Sequence, residues 1–162
     1  MTEILRLSFI IILLTIALAA YFLVIGALFA NRVAKTQRVM IAMTGRSFGV
    51  GLVNFAFFGV IALVLFSVAG STGDFIRFIL SGPALLITAV LAIMLSFGLA
   101  GISYLIGERI FLDQLAWKQT VWGTMILSFA CALPIVGWFL LFPYAGFVGI
   151  GAFILGLFQR DA

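Results

Sequence analysis

Histidine is absent from all 162 residues. That removes the commonest general base, the commonest haem and metal ligand, and the side chain that titrates near neutral pH. Neither a Ser-His nor a Cys-His nucleophile pair can form. One cysteine, Cys131, leaves no intramolecular disulfide, and its apolar surroundings make it a small hydrophobe. Charge is scarce as well, at 9% of residues, where a soluble domain carries about 25%. No carboxylate falls inside an apolar run long enough to span a bilayer, so a proton relay or cation-coupled carrier lacks its usual part. Walker and dinucleotide glycine loops are missing too. These absences point away from an enzyme, a cofactor, a metal site and a nucleic-acid partner.

What is present is apolar: 65% of the chain is hydrophobic, and phenylalanine alone occurs 18 times. Water could not solvate the surface that this composition implies, which predicts a polytopic membrane protein. A helix crossing about 30 Å of hydrocarbon needs about 20 residues at 1.5 Å each. Residues 7–30 qualify as a first span. The run continues unbroken past the small residues at Ala19 and Ala20, too long for the core of a signal peptide, so it reads as a retained helix. Residues 48–69 form a second span and 84–106 a third, with Pro83 placed at the first turn of the third.

The C-terminal stretch is less simple. From Thr120 to Phe158 there is no charged residue. As one straight helix it would be about 58 Å long, nearly twice the hydrocarbon thickness, so the chain must turn back. Pro134 and Pro143 are the two candidate breaks. A break at Pro134 and Gly137 leaves helices over 114–133 and 138–158 and puts Trp117, Trp122 and Trp138 near interfaces, where Trp is favoured. A break at Pro143 leaves too short a last piece. The reading is an all-α integral membrane bundle forming a single domain of five spans, the last two a hairpin at Pro134 and Gly137. Four spans are the alternative, and a re-entrant 114–133 segment stays open.

Charge sets the orientation. The first loop, 31–47, holds Arg32, Lys35, Arg38 and Arg46 with no acid, and Val33, Val39, Met40 and Met43 between them suggest an interfacial helix. With five crossings, loops 31–47 and 107–113, Lys118 and the C-terminus place seven basic residues on one side, against Arg6 and Arg77 on the other. The positive-inside rule then makes the basic side cytoplasmic and the N-terminus external. With four crossings the loops keep their side and the C-terminus moves outside. The basic loop also suits anionic lipid headgroups or an acidic partner. Glu108 and Arg109 read as a solvated helix end or as a contact to that loop.

Asn54, inside the second span, should need a partner, most simply an interhelical hydrogen bond. Gly49, Gly51, Gly98, Gly101, Gly149 and Gly151 suit close helix contact, either within the bundle or against another chain. Asn54, Ser67, Thr88, Ser96 and Ser103 would line a weakly polar pore if they shared a face.

The stretches "GRSFGVGLVNFAFFGVIAL" (45–63) and "ALPIVGWFLLFPYAGFVGIGAFIL" (132–155) resemble uncharacterised small bacterial multi-span membrane proteins. They also resemble the membrane part that accompanies bactofilin-type, polymer-forming cytoskeletal proteins. There a Pro-x-x-Gly-Trp turn precedes a Gly-x-Gly-Ala helix; here the positions are Pro134, Gly137 and Trp138, then Gly149, Gly151 and Ala152. The resemblance covers under a third of the chain. It implies scaffolding or anchoring and brings no catalytic residues. The expectation is therefore a non-enzymatic subunit of the bacterial inner membrane that scaffolds, anchors or stabilises a larger assembly. It would contact lipid and a membrane-protein partner or itself. The alternative is an oligomeric channel or transporter component.

Overall fold

The computed structural model describes residues 2–71, 73–133 and 135–158. Every regular element among them is helical: α1 (Thr2–Leu28), α2 (Ala30–Ala42), α3 (Thr44–Ser71), α4 (Asp74–Ile110), α5 (Ala116–Ala132) and α6 (Phe142–Phe158), the last entered through a π-helical turn at Gly137–Leu141. Four stretches are long and apolar enough to cross a membrane: Ser8–Leu28, Thr44–Ser71, Asp74–Ile110 and Gly137–Phe158. The protein is a membrane-embedded helical bundle.

Helix α6, with its π turn, is the innermost of the four. Of its apolar window 44% is buried, against 11–17% for the other three. It packs on α3, α4 and α2 at once. Helix α3 runs antiparallel to it, with Ser47 level with Gly151 and Gly51 level with Phe147. Helix α4 runs alongside it in the same direction, with Leu95 at Gly146 and Gly98 at Gly149. Helix α5 returns antiparallel along α4, Gly123 lying on Ser103 and Gly107 on Gln119. Helix α1 leans mainly on α5 and reaches α4 where Phe22 and Ile25 cluster with Ala100 and Val33. Large apolar side chains such as Phe9, Phe57, Phe78 and Phe139 face outward. Lipid gives no reason to hide them, so van der Waals fit at small residues holds the bundle together.

Three boundaries differ from the sequence reading. The first apolar run ends at Leu28, and after a break at Phe29 the basic segment forms α2, as expected of a helix, but buried. Its Val33, Val39 and Met40 pack against α4 and α6 instead of lying on the membrane surface. Helix α4 begins at Asp74, so Pro83 stands in its interior rather than at its first turn. From Asp74 to Ser81 no residue breaks a helix, and a membrane helix tolerates the Gly82-Pro83 pair and the one hydrogen bond that proline deletes.

The third concerns the hairpin. Pro134 lies outside the described residues, and Arg160 does too. On either side of Pro134, α5 ends at Ala132 and the π turn begins at Gly137. A Cβ at Gly137 would stand 2.6 Å from the Ala130 carbonyl oxygen, so the two arms touch at once. The widened turn has a local cause in Pro143, whose ring would clash with the carbonyl four residues back. One extra residue in the turn moves that carbonyl aside, and the Phe142 N–H donates to the Gly137 carbonyl. Helix α5 has 17 residues, about 26 Å, and is not among the four stretches long enough to cross.

Candidate functional site

The chemistry of this chain concentrates at one end of the bundle, where α2 is wedged between α4 and α6. The α2 sequence places Val33, Thr36, Gln37 and Met40 on one face at helical spacing, and all four are buried. Arg32 and Arg38 fall on the other face and are exposed, and Arg46, at the start of α3, is exposed as well. Lys35 is half-buried beside Gly156 near the end of α6. The four basic side chains thus surround a wedge whose inner face is committed to packing.

Gly101 of α4 makes room for that wedge. A Cβ there would meet the Met40 methyl at 3.4 Å and the Thr36 methyl at 3.7 Å. Two turns further on, Gln37 Nε2 donates to Glu108 Oε2 at 2.5 Å. Glu108 therefore takes a partner from the basic segment, but from its amide and not from a cation. Arg109 is exposed. Thr36 is satisfied inside α2, donating to the Arg32 carbonyl. Across α4, Gln119 is buried against Gly107 and its Nε2 donates to the Phe111 carbonyl, closing the turn that leads into α5. Gln37 and Gln119 were not singled out in the sequence. Gln119 is an amide in the first turn of α5, and Gln37 is an amide on the apolar face of the basic segment, between Val33 and Met40.

The six glycines separate into three kinds. Gly51 and Gly151 interlock: a Cβ on Gly51 would fall on the Phe147 carbonyl, and one on Gly151 on the Ser47 carbonyl. Gly98 and Gly149 form a second such pair, backbone to backbone. Gly101 meets the Met40 and Thr36 side chains and the Gln37 backbone nitrogen, all at ordinary distance. Gly49 has nothing within 4 Å of a Cβ, and neither has Gly45 one turn earlier. Gly107 and Gly123, which the sequence reading passed over, are as tightly engaged with α5 and α4 as the first two pairs.

The polar residues of the spans go to different places. Asn54 Nδ2 donates to the Val50 carbonyl, 2.8 Å away in its own helix, where an interhelical bond was expected. Ser67 and Thr88 are exposed, and Thr88 bonds back to the Ala84 carbonyl. Ser96 accepts from the Tyr21 hydroxyl of α1. Ser103 is buried under Gly123 of α5. They share no face. Among the described residues, no three of the Cys, Asp and Glu side chains come together as a metal would require. No family model, no curated protein and no solved structure matches this chain.

Proposed function

We propose that this chain is a non-enzymatic integral subunit that scaffolds, anchors or stabilises a larger assembly in the bacterial inner membrane. One observation carries the reading. Helix α3 uses Gly51 to lock onto α6, while Gly45 and Gly49 hold an equally narrow face open with nothing against it. Such a face suits the close approach of a partner's transmembrane helix, because small residues let backbones meet where lipid gives no hydrophobic drive. The dispersal of Asn54, Ser67, Thr88, Ser96 and Ser103 weighs against the channel alternative, which needs a common polar lining.

The same proposal includes an orientation. The basic end is cytoplasmic and the N-terminus external. Helices α1, α3 and α4 cross fully, and α5 with α6 dips in from the cytoplasmic side and returns to it. Three features support this. Helix α5 is short for a span. The turn residues Ile135, Val136, Phe139 and Leu140 are exposed and apolar, and Trp138 beside them adds only its indole N–H, as suits a tip within the membrane. The far end of α6 faces Lys35 and Val39 through Gly156, on the basic side.

The test is the mass of the tagged particle extracted from its own membrane in mild detergent, with every co-purifying chain identified. A stoichiometric membrane partner lost on Gly49→Leu and kept on Gly59→Leu, which also has open space, supports the proposal. A homo-oligomer without partners overturns it.

A further inference from the structure

At the basic end, between α1 and the rest of the bundle, lies an open groove of about 330 Å³. Its size is at the lower end of small-molecule sites, which run from about 300 to 1,000 Å³. Small residues cut it: Gly26 and Ala27 of α1, Ala30 and Ala34 of α2, Ala100 of α4 and Ala116 of α5. Its floor is Phe22, Val33 and Ala100, all buried. No charged side chain lines it. The apolar slot is narrow and runs inward from the rim where α1 turns into α2 and α5 begins.

The rim has the opposite character. Trp117 forms one lip, and Lys118 Nζ stands 5.6 Å from the centre of its ring. Arg32 turns the other way, lying with Lys35 and Thr36 against Phe153 and Gly156 of α6, so Lys118 is the cation beside this rim. Across this end of the described residues, Arg32, Lys35, Arg38, Arg46, Arg109 and Lys118 outnumber Glu108 and Asp113 by six to two. Glu108 is already engaged by Gln37. Thr120 and the Tyr104 ring add polar edges to the wall. An occupant must therefore have a thin apolar tail and an anionic head.

We propose that the groove holds one anionic phospholipid of the surrounding leaflet. One acyl chain lies in the slot between Gly26, Ala34 and Ala100, and the phosphate rests near Lys118 beside the Trp117 ring. This goes beyond the partner reading and does not depend on it: the lipid sits among α1, α2, α4 and α5, away from the open Gly45 and Gly49 face of α3. The lipid also joins α1 to α2 and α4, which it otherwise touches sparingly.

Gly26 supplies the test. Nothing lies within 4 Å of its Cβ position, so Gly26→Leu puts a side chain into the slot without a backbone clash. The full chain is purified in detergent, equilibrated with equal phosphatidylglycerol and phosphatidylcholine of the same acyl chains, and weighed by native mass spectrometry. The expected result is one retained lipid per chain, with phosphatidylglycerol preferred. Gly26→Leu should lose it with an unchanged melting temperature. Lys118→Gln should retain lipid but lower the preference about five-fold, since one surface cation contributes about that factor. Equal retention of the two lipids by the native chain overturns the proposal, as does full retention by Gly26→Leu. If Gly26→Leu does not fold, Ala34→Leu fills the same slot from the facing wall and is read in the same way.

Discussion

The substitution Gly98→Ala tests the packing logic of the bundle most directly. A Cβ at Gly98 would stand 2.5 Å from the Gly149 carbonyl carbon and 2.9 Å from its oxygen, where ordinary contact begins at 3.4 Å. The obstacle is backbone, so no rotamer change relieves it. Helices α4 and α6 must part by about 1 Å at their crossing, and α6 is the helix on which α2, α3 and α4 all converge. Parting there loosens Ile150 and Ala152, both fully buried one to three residues away. Overpacking of a well-filled interior costs about 1–3 kcal/mol, and a backbone obstacle belongs at the upper end. Gly49→Ala is the control. Its Cβ meets nothing, and replacing a helical glycine by alanine is favourable by up to about 1 kcal/mol in water. The assay is the temperature at which the monodisperse detergent particle is lost, read by fluorescence-detected gel filtration. Gly98→Ala should fall by several degrees, and Gly49→Ala should hold or rise. Gly149→Ala should behave like Gly98→Ala, and the double substitution should cost less than the sum, because helices already parted need not part again. If Gly98→Ala is as stable as Gly49→Ala, the backbone contact is not what holds α4 to α6.

Two further outcomes follow from other parts of the bundle. Gln37→Leu keeps the side chain's bulk but removes the donor to Glu108; hydrogen bonds to a charged group are worth about 1.5–3 kcal/mol, and partial exposure of Glu108 puts the expected loss near about 1 kcal/mol. Glu108→Gln, which keeps an acceptor, should cost less, and an equal loss in both would show that the pair contributes nothing specific. In a Cys131→Ser background, single cysteines at Gly73, Leu112 and Ile135 report topology to a membrane-impermeant maleimide. Gly73 should label from outside, Leu112 only after the cytoplasmic face is opened, and Ile135 from neither side. Labelling of Ile135 from outside would make α5 a complete crossing and remove the re-entrant hairpin.

Apolar length was enough to read an all-helical membrane bundle from the sequence, and all four long apolar helices cover the spans that hydropathy placed, with α4 starting ten residues early. The reading failed where the deciding quantity was contact and not composition. The basic segment has the alternation of an interfacial helix, yet α2 is buried because Gly101 and Gly156 thin α4 and α6 opposite it. Periodicity shows that such a helix has an apolar face; it does not show whether lipid or protein covers that face. Glycine carries the same ambiguity. Gly49 and Gly51 stand two residues apart in one helix, so they point about 200° apart around its axis, and one is locked against α6 while the other is open. Either could have been the buried one until the position of α6 was known. Asn54 is a third case, because a polar group in hydrocarbon must be satisfied but can find its acceptor one turn back in its own helix. In a bundle this apolar, polarity therefore marks few contacts, and the small residues mark the most. Which of them face inward depends on the direction and height of the neighbouring helix, and those follow from how α5 and α6 turn around Gly137.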